Sequence, residues 1–178
     1  MRRKVKRSII LFMFIMMIIG NISYVEVKAS VDSPYGPKVE DLKSKEVVVN
    51  SFQDIKRIRG NLTTISIKES STPEELNNTY KSLNYFIEEF NEIKKNLDNN
   101  IATHKDSFSD VFFSEQILFI AESYIISIRQ QQNLIIALQE KKVDAQKLFY
   151  SSYLLSPYYY LNLGDQMVAY IDTYFVVV

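Results

Sequence analysis

Apolar residues recur in this chain at intervals of three and four, and that period decides the class of fold. Val48, Phe52, Ile55, Ile58, Leu62 and Ile65 are spaced four, three, three, four and three, which aligns them as one stripe on a helix. Gly60 falls inside the pattern at a cost of roughly 1 kcal/mol relative to alanine. Val47-Val48-Val49 is β-branched and suits a short strand, but the flanking charges and the stripe that follows favour helix.

A second helix announces its own start. In Ser71-Thr72-Pro73-Glu74-Glu75, Thr72 suits the cap and Pro73 the first helical position, where no amide partner is needed. Glu75 can return a bond to the cap. The stripe that follows is Leu76, Tyr80, Leu83, Ile87, Phe90, Ile93, Leu97 and Ile101, with charges on the remaining faces. A third helix is expected from Ser107 or Ser109 to about Lys141. From Val111 to Ile128 it is apolar nearly all round, the composition of a helix covered by several neighbours. Glu115, Glu122 and Arg129 interrupt it and argue against a membrane span. A fourth segment begins near Asp144 and is expected to kink or end at Pro157. A last helix is expected from Asp165 to the C-terminus. Long helices with short connections give an all-α, antiparallel helical bundle of three long helices plus a broken, Pro-kinked fourth/fifth segment. The 4 Gly and 4 Pro are too few for a β-sandwich, which needs a turn every ten residues or so.

The N-terminus obeys different rules. Arg2, Arg3, Lys4, Lys6 and Arg7 precede an apolar run from Ser8 to Ile19, and Val27-Lys28-Ala29 supplies a small residue at the exit. Basic head, apolar run of about a dozen residues and small exit residue are the parts of a secretory signal. The sequence therefore predicts a signal peptide over 1–29, cleaved between Ala29 and Ser30, a flexible leader over 30–37 and one bundle domain over 38–178. Asn, Ile and Lys are abundant, the bias of a low-GC Gram-positive bacterium.

Setting the signal aside changes the charge. Six of the 21 Lys+Arg and one of the 21 Asp+Glu precede Ser30, so the remainder holds fifteen bases against twenty acids, a formal −5. Nucleic acid is not expected as a partner, and the same acidity disfavours anionic membranes. There is no cysteine and one histidine, His104, so no ordinary zinc or copper site can be assembled. No cofactor or metal is expected. A nucleophilic triad would have to use His104, and no Gly-x-Ser-x-Gly turn or phosphate-binding glycine loop is present. Glu88 and Glu92 lie four apart on one helix, but Lys95 follows three residues later, the pattern of a solvated, charge-paired face.

Two features remain as candidate sites. Continuing the stripe Leu118, Ala121, Ile125, Ile128 places Gln132 inward, as a buried polar site or as a hydrogen bond that fixes the register of the bundle. The C-terminal region is rich in tyrosine: Tyr150, Tyr153, Tyr158, Tyr159, Tyr160, Tyr170 and Tyr174. Such side chains bury ring area while keeping a hydroxyl for a wet boundary, which suits either a core rim or a partner surface. These readings favour an exported, non-enzymatic bundle acting by protein–protein contact, with itself or another chain, at or outside the cell surface. A membrane-active or pore-forming protein, and a sensor domain held by an uncleaved N-terminus, are the alternatives.

Overall fold

The computed structural model describes residues 36–62, 67–68, 70–140 and 154–175, all within the unit Pro34–Val178. The signal segment, the Ala29–Ser30 junction, most of the leader, Ile65, Tyr150 and Tyr153 lie outside the described residues. Among the described residues a 3-10 turn at Val39–Asp41 precedes four helices: α1 (Lys45–Asn61), α2 (Pro73–Thr103), α3 (Phe108–Gln139) and α4 (Leu155–Phe175). No strand occurs among the described residues, so Val47-Val48-Val49 is helical.

The helix boundaries have local causes. At α2, Thr72 Oγ1 accepts from the Glu75 amide at 3.2 Å while Glu75 Oε2 accepts from the Thr72 amide at 2.7 Å, a reciprocal capping box with Pro73 beside it. At α3, Ser107 Oγ accepts from the Asp110 amide at 3.3 Å. Ser44 stands at the N-cap of α1 without capping it, because its hydroxyl donates instead to Asp110 across the bundle. α1 begins at Lys45, three residues before the first position of its apolar stripe. The amides of Lys38, Lys43 and Ser44 are held by Ser109 and Asp110 side chains, so they are unavailable to an earlier helical turn.

The order of contacts fixes the topology. Along α2 and α3, Asn100 meets Ser114, Lys94 meets Glu122, Phe90 meets Tyr124 and Asn84 meets Gln132. Numbers fall on one helix as they rise on the other, so the two are antiparallel. α3 and α4 are antiparallel by the same test, through Phe113 with Tyr174, Tyr124 with Asp165 and Ser127 with Pro157. α3 packs against the other three helices. Its Phe113, Ile117, Ile120, Tyr124, Ile125 and Ile128 form the centre of the core with Phe52, Ile55, Phe90 and Leu97, each worth about 1.5–3 kcal/mol for leaving water.

The last helix starts earlier than the sequence suggests. It begins at Leu155 rather than Asp165, and Pro157 occupies its first turn. An amide there has no intrahelical carbonyl to meet, so proline is tolerated where it would break a helix interior. Continuity through Asp165 depends on Gly164. A Cβ on that residue would lie 2.4 Å from Tyr124 Cε1, so α4 approaches α3 more closely than any side chain would allow.

Candidate functional site

Two polar clusters tie elements of the bundle to one another. Asp110 is fully buried. Its carboxylate accepts from the amides of Lys43 and Ser44, both at 2.9 Å, and from the hydroxyls of Ser44 and Ser107. Burial opposes ionisation, but these hydrogen bonds outweigh it and bring the carboxyl down to about 2. The cluster ties the segment before α1 to the start of α3.

The second cluster joins α1, α3 and α4. Arg59 meets Asp165 through two bonds of 2.8 Å, and the Tyr124 hydroxyl donates to the same carboxylate at 2.8 Å. Burial works to raise the Asp165 carboxyl, yet bonding to Arg59 and Tyr124 holds it below the ordinary range. The Tyr124 phenol is pushed up, by burial first and by Asp165 second, and stays protonated. Lys56 bonds Asp172 one helical repeat away at 2.9 and 3.1 Å. Arg59, Tyr124 and Asp165 thus bond one another and link α1, α3 and α4.

Gln132 takes the inward place that the stripe assigns. It is buried, and its Nε2 donates to Asn84 Oδ1 on α2 at 2.6 Å, the cross-bundle hydrogen bond of the register-fixing reading. Its neighbour Gln131 is also buried, and its Nε2 has no hydrogen-bond partner. Sequence reasoning missed Gln131. On a helix covered on almost every side, the residue beside an inward position is itself inward, and that was the available signal.

His104 is the C-cap of α2, its amide bonded to Asn100 O at 2.9 Å. Among the described residues no group of three His, Cys, Asp or Glu side chains gathers to hold a metal ion. Glu88, Glu92 and Lys95 are exposed, and the ion pairs of α2 run instead from Lys94 to Glu122 and from Glu89 to Arg57. By length and composition α3 qualifies to cross a membrane, with a mean hydropathy of 1.5 over 18 residues, despite the charges that argued otherwise; 56% of that window is buried in the bundle.

The tyrosines divide into two sets. Tyr158, Tyr159 and Tyr170 are exposed, Tyr159 at 64%, while Tyr160 and Tyr174 are half-buried. Tyr174 belongs to a continuous run of rings that leaves the core. Phe52 stacks on Phe175 at 5.2 Å, Phe175 meets Phe113 at 5.5 Å and Phe113 meets Tyr174 at 5.4 Å. Tyr174 then meets Tyr170 at 5.5 Å and Phe112 at 6.2 Å, and Phe112 meets the exposed Phe108 at 6.2 Å. The Tyr170 and Tyr174 hydroxyls bond at 2.9 Å, which, with burial second, raises the Tyr174 phenol to about 12. The tyrosine-rich end therefore divides into a core rim at Tyr174 and an exposed aromatic surface at Tyr158, Tyr159 and Tyr170.

The exposed positions of that surface carry no charged residue. The α4 sequence holds two charged residues, Asp165 and Asp172, and both are turned to account against Arg59 and Lys56 of α1. Its exposed positions are Leu155, tyrosines, Asn162, Gln166, Ala169 and Thr173. Such a surface offers ring area and hydroxyls to a partner and no charge that must be stripped of water. No known protein family, no curated protein and no solved structure matches the chain.

Proposed function

We propose that this chain is an exported, non-enzymatic helical bundle that works by protein–protein contact at or outside the cell surface, and that it docks through the outer face of α4. The observation that carries the reading is the uncharged aromatic surface of that helix, with Tyr158, Tyr159 and Tyr170 exposed and both helix charges committed to α1. Enrichment in tyrosine and depletion of charge are the marks of interface centres. The basic head and apolar run before Ala29 support export. The hydrogen bonds by which the Asp110 and Arg59–Tyr124–Asp165 clusters join separate elements support a structural use of these groups.

Two measurements test the proposal. N-terminal sequencing of material outside the cell should give a chain beginning at Ser30; material retained in the membrane with Met1 intact would refute cleaved export. Purified protein tethered through α2 should retain a defined partner from cell-surface extract. Tyr159→Glu with Tyr170→Glu should abolish that retention, while Glu88→Gln with Glu92→Gln leaves it unchanged. Retention of nothing, or equal retention by both variants, would remove the α4 face from the account.

A further inference from the structure

The start of α1 and the end of α2 enclose a cleft of about 440 Å³, within the size range of small-molecule sites. Ser44 at the N-cap of α1, Val47 and Ser51 follow one another at three and four residues and turn one flank to it. Asn96, Asn99, Asn100 and Thr103 do the same along the last turns of α2, and His104 closes the end. Two of these residues are buried yet leave hydrogen-bonding groups unused. Ser51 is 6% exposed, and its hydroxyl has no hydrogen-bond partner among the described residues. Asn100 is 5% exposed; its Nδ2 donates to Ser114 Oγ at 3.1 Å, which leaves its carbonyl oxygen without a partner. Neither atom is sealed in, for among the described residues the unpaired side-chain atom closed off from solvent is Gln131 Nε2. The Ser51 hydroxyl and the Asn100 carbonyl therefore open into the cleft that both residues line. Alanine at position 51 would favour the helix more and bring no polar group to desolvate.

We infer that this cleft is a binding site for a neutral sugar, with the Ser51 hydroxyl and the Asn100 carbonyl oxygen bonding sugar hydroxyls at the floor and the side chains of Asn96, Asn99 and His104 bonding them at the rim. The lining selects that class. Every sugar hydroxyl both donates and accepts, and a primary amide or a serine hydroxyl answers in both senses. Val47, 40% exposed, offers a small apolar patch to the C–H face of a ring. No lysine, arginine or carboxylate is among the described residues that line the cleft, so a strongly charged ligand would meet no fixed counter-charge. A hydrocarbon would leave the floor unbonded. The site is built by α1 and α2, so its failure would leave the proposed α4 contact untouched.

The test is a titration of the purified, ¹⁵N-labelled protein with glucose, galactose, N-acetylglucosamine and cellobiose, with cyclohexanol as a ring that lacks all but one hydroxyl. At least one sugar should give saturable shifts of the Ser51 and Thr103 amides and of the Asn99 side-chain NH₂, and cyclohexanol none. Ser51→Ala should weaken that binding at least fivefold while unfolding at the same or a higher denaturant concentration, because the hydroxyl has no internal bond to lose. Asn99→Ala, an exposed substitution, should weaken it as well, and Asn133→Ala, exposed on α3, should leave it unchanged. The inference is overturned by no saturable shift with any of the four sugars at tens of millimolar. Equal binding by Ser51→Ala and the native chain, or cyclohexanol shifting the same groups at the same concentrations, would overturn it as well.

Discussion

α2 and α4 both lie antiparallel against α3, yet they treat solvent in opposite ways. α2 turns Glu74, Lys81, Glu88, Glu92, Lys95 and Asp98 to water, as a helix does when its outer face has no other task. α4 turns tyrosines and uncharged polar groups outward and spends its two aspartates on α1. Their inner faces differ as well. α2 meets α3 through large residues such as Leu83, Phe90 and Leu97, with Asn84–Gln132 and Asn100–Ser114 bonds between them. α4 comes close enough at Gly164 to touch the Tyr124 ring. The difference teaches that α2 is finished by water, whereas α4 is fixed tightly from behind and left with a surface that water suits poorly.

The largest expected effect probes the frame on which both helices rest. Asp110→Asn should cost about 3 kcal/mol, because the amides of Lys43 and Ser44 lose a buried charged acceptor. The effect should depend on pH. The folded carboxyl sits at about 2, below its usual value of 3.8. Its contribution of about 2 kcal/mol is therefore complete above the unfolded value and lost as pH falls from about 4 through 2. Urea unfolding at a series of pH values should show that slope in the native protein and a flatter one in the variant.

Gly164→Ala should cost about 2 kcal/mol even though alanine is the better helix former. The Tyr124 ring that blocks the new methyl is pinned by its bond to Asp165. Gly60→Ala should do the reverse and stabilise by about 0.5–1 kcal/mol, since a Cβ there meets nothing within 4 Å. Equal effects at the two glycines, measured by denaturant midpoint, would break the claim that α4 is held by close approach. Thr72→Ala should cost about 1 kcal/mol through loss of the α2 capping box, leaving the α4 surface and its contacts unchanged. Tyr170→Glu, which loses its ring and hydroxyl contacts with Tyr174, should cost about 1 kcal/mol; smallest of all, Tyr159→Glu should move stability by no more than about 0.5 kcal/mol.

Much of this was legible in the sequence because it is local. Thr72-Pro73-Glu75 marked the start of α2 and Ser107 or Ser109 that of α3, and the three-and-four spacing found most of the buried residues of α1 and α2 and the inward position of Gln132 on α3. What escaped was decided across the bundle. Ser44 stands just before α1, but its hydroxyl serves Asp110, sixty-six residues away. Gly164 lies just before the expected start of the last helix at Asp165, and its place inside α4 is explained only by the Tyr124 ring against it. Arg59 and Asp165 carry no mutual signal at a separation of 106 residues. Pro157 looked like an interruption because its position within a helix, not its presence, decides whether it disrupts.

The central claim is that α4, and not α2, is the face that meets a partner. Photo-activatable cross-linkers placed singly at Tyr159 on α4 and at Glu88 on α2 test it most directly, in protein displayed to intact cells or surface extract. The account predicts one defined adduct from position 159 and none from position 88. Adducts of equal yield at both positions, or an adduct at position 88 alone, would contradict it.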